Sequence, residues 1–143
     1  MCLLDTDTLS ELFRTTDGRS VVASRVTATP AGSLFIGAIT VGEVMQGALA
    51  LIRSLERTNQ EDRGYALLLQ AFQSLQRFPI ATYDAEAHRI FLGFEAAVCR
   101  HGRADCQIAA TALRHGLIVV TRNTRHFGNM PGIQFEDWTL SQE

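Results

Sequence analysis

Lysine is absent from the 143 residues, and all thirteen basic side chains are arginine. Any chemistry that needs an ammonium point charge to steady a phosphoryl group is therefore closed to this chain, whereas arginine's planar fork suits bidentate contact with phosphate. A skewed codon usage explains the same bias more simply. Cysteine is scarce and odd in number: Cys2, Cys99 and Cys106 show no paired C-x-x-C spacing, which argues against a disulfide framework or a zinc site. The three read as reduced thiols of a cytoplasmic protein. No charged leader precedes the first apolar residues and no apolar run approaches membrane-spanning length, so neither export nor a membrane is expected. With a net charge of −2 the chain lacks a general field for polyanions, and any nucleic-acid contact must be local. Repeats, low-complexity tracts and linkers are missing too, and the length suits a single domain over 1–143.

What is present is an alternation of short apolar runs with amphipathic stretches. Cys2 to Leu4 predicts a strand ending at Asp5, and Thr6 or Asp7 is placed to cap a helix through Leu9, Leu12 and Phe13. A second helix is expected over Arg19 to Thr27 with Val21, Val22 and Val26 inward, stopped by the turn at Pro30. Leu34 to Ile36 predicts strand two. Thr40 and Glu43 have the spacing of a capping box ahead of Val44, Met45, Ala48, Leu49 and Ile52. A charged connector over Arg53 to Arg63 then leads to a helix from Tyr65 to Phe78 carrying Leu68, Leu69, Phe72 and Leu75.

Ile80 to Tyr83 predicts strand three, and Asp84 caps one long helix from Ala85 to His101 with Ile90, Phe91, Phe94, Ala97 and Val98 inside. The organising stretch follows. Asp105 opens an Ala-rich helix whose Ile108, Ala109, Ala112 and Leu113 recur at helical spacing, and Gly116 leads into the strand Leu117 to Thr121. A polar segment from Arg122 to Phe127, a Pro131–Gly132 turn, a short run Ile133 to Phe135, Trp138 and a polar tail complete the chain. Strands alternating with helices predict an α/β/α sandwich around a central, mainly parallel sheet of four to five strands. In such sheets ligands gather beyond the carboxyl ends of the strands. Asp5 and Asn123 lie just past strand ends, while Glu43 and Asp105 are expected to begin helices.

Carboxylates gathered without a cation repel, and a hard divalent ion relieves that cost. Oxygen donors without His or Cys favour Mg²⁺ or Mn²⁺ over Zn²⁺. Such an ion neutralises charge building on a phosphodiester, so metal-assisted phosphodiester hydrolysis is the expected reaction class.

The stretches Leu3 to Leu12, Ala38 to Glu43, Asp105 to Ala112 and Val119 to Phe127, in that order, resemble the PIN domain, and more narrowly the VapC-type toxins of type II toxin–antitoxin pairs. The ending from Pro131 to Trp138 resembles the same group. The resemblance implies a Mg²⁺-dependent endoribonuclease with Asp5, Glu43 and Asp105 as catalytic residues and metal ligands, Asn123 or Asp7 supplying a further oxygen. It implies Arg122, Arg125 and Arg103, with Arg14 as another candidate, as holders of RNA phosphates. Thr6 and Thr121 are candidates to orient carboxylates at the substrate face. It also implies a homodimer and a cognate antitoxin that occupies the groove, while the chain itself shows no DNA-reading motif.

Two alternatives stand beside this one. An inactive PIN scaffold that binds an antitoxin-like partner is suggested by a connector of only Arg103 and Ala104 between Gly102 and Asp105, shorter than in similar toxins, which predicts a displaced Asp105. A haloacid dehalogenase-like phosphatase is suggested by Asp5 and Asp7, which resemble that family's D-x-D-x-T opening. The family's later lysine is missing, as is the lysine of receiver domains. His126 reads as a partly exposed loop histidine, since the site has hard-metal character.

Overall fold

The computed structural model describes residues 1–15, 19–100 and 102–140. Its centre is a parallel sheet in the order β3-β2-β1-β4-β5, built from β1 (Cys2–Leu4), β2 (Leu34–Gly37), β3 (Ile80–Ala81), β4 (Ile118–Val120) and β5 (Phe135–Glu136). Cys2 to Leu4 pair in register with Leu34 to Ile36 on one side and with Ile118 to Val120 on the other. Side chains alternate across a strand, so Leu3 and Val119 enter one core with Ile108, Ala109 and Phe127, while Leu4 and Val120 enter another with Leu9, Ile36 and Trp138. A sheet buried on both faces needs helices on both, and this makes the expected three-layer sandwich.

The helices differ from expectation at instructive places. After α1 (Thr6–Arg14) and α2 (Val21–Ala28), α3 (Ala38–Glu56) starts straight out of β2 with Gly37 as its cap residue. Thr40 is thus inside the helix, the capping box is not formed, and Glu43 lies in the second turn. The supposed connector is mostly helical, because α4 (Glu61–Leu75) begins soon after and packs back on α3. Gly64 permits that approach: a Cβ there would lie 2.8 Å from Cγ1 of Ile52. The helix expected from Ala85 is broken into α5 (Ala85–Leu92) and α6 (Ala96–Cys99), since Glu95 between them is extended; its expected end at His101 lies outside the described residues, as does the end of the polar tail. The polar run after β4 folds into α8 (Thr124–Gly128). Val21 and Ala97, expected inside, are exposed.

Cys99 and Cys106 form a disulfide across a Cα separation of 5.8 Å, leaving Cys2 as a thiol. Paired spacing gave no hint because the break between α6 and α7 (Arg103–His115) brings the two together. Among the described residues α3 is long and apolar enough, by length and composition, to cross a membrane, with 19 residues and a mean hydropathy of 1.2. The sequence expectation missed this because Glu43, Gln46 and Arg53 interrupt the apolar residues.

Candidate active site

Asp5 follows β1 directly and its side chain caps α1, accepting from the Thr8 backbone N–H at 2.8 Å. Buried to 3 % exposure, it lies at the strand's carboxyl end in the middle of the sheet. Burial pushes its carboxyl above the ordinary carboxylate range, against the opposing pull of hydrogen bonds from Thr121 and Thr8. No counter-charge offsets that cost in the described structure, which is the condition a bound cation relieves.

From Asp5 the contacts run outward along two arms. On the β4 side, Thr121 neighbours Asp5 and its Oγ1 accepts from the Asn123 backbone N–H at 2.9 Å; the Asn123 Nδ2 in turn donates to Oδ2 of Asp105 at 3.0 Å. On the α3 side, the Thr6 hydroxyl donates to Oε1 of Glu43 at 2.6 Å, with the Thr40 hydroxyl 3.1 Å away. Asp5, Glu43 and Asp105 therefore share the edge beyond the carboxyl ends of β1 and β4. Thr6 donates to the Glu43 carboxylate, and Thr121 lies beside that of Asp5.

The short connector before Asp105 does not leave that residue adrift. α7 begins at Arg103, Asp105 sits in its first turn, and His126 contacts Oδ2 of Asp105 through Nδ1 at 2.9 Å. The other ring nitrogen of His126 faces the Val98 carbonyl at 2.8 Å. Burial alone would lower the His126 pKa, but hydrogen bonds to Val98 and Asp105, with the Asp105 charge, hold it above its ordinary value. His126 is thus part of the site's framework, which sequence reading missed. The signal is its place three residues after Asn123, a spacing that on the turn of α8 brings both side chains to Asp105.

The carboxylates do not form a closed cage. Among the described residues no three His, Cys, Asp or Glu side chains are grouped so as to hold a metal ion as they stand. Each acid instead takes its own uncharged donor or, for Asp105, also a histidine, as mutually repelling anions do. The donors are nonetheless all hard oxygens, and Oδ1 of Asp105 receives no hydrogen bond among the described residues. This set suits Mg²⁺ or Mn²⁺ by chemistry.

The other candidates are spread around this edge. Asp7 is exposed in the first turn of α1, where it complements the helix dipole. Arg103 lines a depression with Glu43 and Gln107 and also stacks 4.7 Å from the Phe91 ring centre. Arg125 lines a second depression with Asn123 and His126. Arg122 is held by Glu11 at 3.1 Å. Arg14 ends α1, roughly 12 Å along the helix axis from the Asp5 end, which removes it from the group. The phosphatase pattern fails as well, since its fifth position is the buried Leu9 rather than a threonine.

A family model for the PIN domain matches residues 2–133. A VapC ribonuclease of Sinorhizobium fredii is 33 % identical over 131 residues, covering 89 % of this chain and 90 % of that protein. Toxin FitB of Neisseria gonorrhoeae is 30 % identical over 142 residues, covering 96 % and 99 %. Among solved structures, DNA-bound VapBC from Salmonella typhimurium superposes with a TM-score of 0.70 at 28 % identity, covering 96 % of this chain and 99 % of the other.

Proposed function

Because this chain belongs to the PIN domain family, we propose that it is a divalent-metal-dependent endoribonuclease, the toxin of a type II toxin–antitoxin pair, acting in the cytoplasm as a single domain over 1–143. The observation that supports it most is that hydrogen bonds tie Asp105 to Asn123 and Asn123 to Thr121, beside the buried Asp5, while Thr6 donates to Glu43 at the same sheet edge. Asp5, Glu43 and Asp105 are the catalytic carboxylates and metal ligands, with Asn123 or Asp7 as a further oxygen. Mg²⁺, or Mn²⁺ in its place, supplies a Lewis acid that neutralises charge developing on the scissile phosphodiester. Thr6 and Thr121 keep their carboxylates aimed at the edge. Arg103 and Arg125, one in each flanking depression, hold RNA phosphates on either side of the acids, and Arg122 joins them when Glu11 releases it. Incubating the purified protein with Mn²⁺ and mixed RNA tests this: cleavage is expected from the wild type and not from Asp105→Asn or Glu43→Gln. Equal cleavage by all three would refute the site.

Partners follow from uncovered apolar surface. A groove of about 500 Å³ between α1, α2 and α4 is lined by Leu12, Phe13, Val26 and Leu67 together with Gln70 and Arg77, a mixed surface suited to an amphipathic partner helix. The solved relatives include VapBC and FitAB complexes, which supports an antitoxin as that partner. Leu49, Tyr65, Leu69 and Phe72, expected in part as core, stand exposed on the α3–α4 hairpin. They supply a self-complementary face for a homodimer. Light scattering is expected to give a dimer mass that Phe72→Asp halves; a wild-type monomer at micromolar concentration would refute the dimer. A second reading, a scaffold that binds the antitoxin without cutting RNA, is favoured by the open spacing of the acids. Growth arrest on expression, abolished by Asp5→Ala, would exclude it.

A further inference from the structure

The α6–α7 junction carries a feature that neither the acids nor the arginines account for. Val98 near the end of α6 and Asp105 in the first turn of α7 are bridged by one ring, that of His126 on α8. We propose that His126 is a positioning residue that holds the Asp105 carboxylate in register by tying it across this junction to the Val98 carbonyl. The proposal rests on the reading of Asp105 as a site carboxylate and deepens it.

Three observations carry it. First, the ring is spanned at both ends: Nδ1 lies 2.9 Å from Oδ2 of Asp105 and Nε2 lies 2.8 Å from the Val98 oxygen, with the side chain only 18 % exposed. A ring with two opposed contacts cannot swing without losing one of them. Second, the junction is shaped to the ring. A Cβ on Gly102 would lie 2.3 Å from Cε1 and 2.9 Å from Nδ1 of His126, while the φ of −169° is outside the left-handed region that favours glycine. Glycine there leaves the space that the imidazole fills. Third, the ring's base is fixed, because the next residue, Phe127, is fully buried among Cys106, Ile108 and Ala109.

The arrangement explains how a short connector can still present Asp105. His126 and Asn123 both engage Oδ2, which leaves Oδ1 turned away from these donors. Ligating carboxylates are commonly oriented by such outer contacts, whose loss typically costs about 10- to 100-fold in metal affinity. The Cys99–Cys106 disulfide ties the same junction covalently. In a reducing medium the histidine bridge is left to hold it without that bond.

The test is Mn²⁺ affinity by titration calorimetry on the full chain under reducing conditions, with thermal melting in parallel. His126→Ala is expected to weaken Mn²⁺ binding about 10- to 100-fold with a cooperative melt retained. His126→Asn, whose amide nitrogen falls near the place of Nδ1, is expected to recover most of the affinity. His126→Gln, whose amide reaches the place of Nε2 instead, is expected to recover less. Gly102→Ala is expected to mimic His126→Ala by displacing the ring, and to add nothing in the His126→Ala background, the non-additivity that marks one shared contact.

Unchanged affinity in His126→Ala, or Asn and Gln variants that behave alike, would overturn the proposal, and the Asn–Gln comparison decides it even if the Ala variant does not fold. Imidazole ¹⁴N coupling to bound Mn²⁺ in spin-echo spectra would also overturn it, since His126 would then be a ligand. Asp105→Asn separates the two levels. If it leaves Mn²⁺ affinity intact, the metal-site reading fails; if it weakens affinity while His126→Ala does not, only the positioning role fails.

Discussion

Asp5→Asn is expected to raise the melting temperature of the metal-free protein at neutral pH while lowering any nuclease rate by about 10²-fold or more. The two effects share one cause. Burial raises the Asp5 pKa above its ordinary value of 3.8, so the folded state holds the proton more tightly than the unfolded chain does. Stability linked to this group is therefore fully present below the unfolded value and is lost as pH rises through the raised folded value. At neutral pH the buried anion is a net cost. Asparagine keeps the α1 cap, since its side-chain oxygen can still accept from the Thr8 N–H, but it carries no charge. The melting difference between variant and wild type should grow as pH climbs above about 4 and level off once the raised folded value is passed. Mn²⁺ should then stabilise the wild type far more than the variant, because a ligand that binds only the folded state raises its apparent stability. A variant that melts lower than wild type at pH 7 without metal would show that burial does not set the energy of Asp5.

Phe127→Ala is expected to cost about 3–5 kcal/mol of folding stability, the range for deleting a fully buried aromatic side chain. Phe127 has no exposed surface and packs between α7 and the sheet, so the surroundings have little freedom to collapse into the void. It is also the anchor of α8, whose flanking residues Asn123 and His126 both contact Asp105. Loosening it should therefore weaken Mn²⁺ binding even where the fold survives. Urea denaturation checks the first effect, with Phe72→Ala as the contrast. Phe72 is 48 % exposed, and its truncation should cost less than about 1 kcal/mol in a monomer. A loss under about 1 kcal/mol for Phe127→Ala would remove α8 from the core.

Much of the architecture was written in local pattern. Cys2 to Leu4, Leu34 to Ile36 and Leu117 to Thr121 were legible as strands because each is a short apolar run bounded by a turn or a helix start. Asp105 was legible as a residue at a helix mouth, whereas Asp5 takes the capping place expected of Thr6 or Asp7. Boundaries failed where a local signal was ambiguous. Thr40 and Glu43 fit a capping box, yet β2 runs into α3 at Gly37, because the strand's parallel pairing with β1 sets where the chain must turn. The long helix predicted from Ala85 kept its apolar spacing across Gly93, but Glu95 is extended and the chain bends there.

The residue order alone determined which chemical groups are available: hard oxygen acids, arginine in place of lysine, and strands that must be buried on both faces. It also determined the approximate place of Asp5 and Asn123, since residues that directly follow strands of a parallel sheet fall at one edge. Tertiary structure alone decided the contacts between groups far apart in the chain. The pairing of Cys99 with Cys106 and the reach of His126 to both Val98 and Asp105 depend on how α6, α7 and α8 meet, and the exposure of Leu69 and Phe72 on how α4 packs against α3. Spacing along a chain constrains neighbours within a turn or two, whereas these contacts are set by packing across the core, where a single glycine without a Cβ decides whether a ring fits.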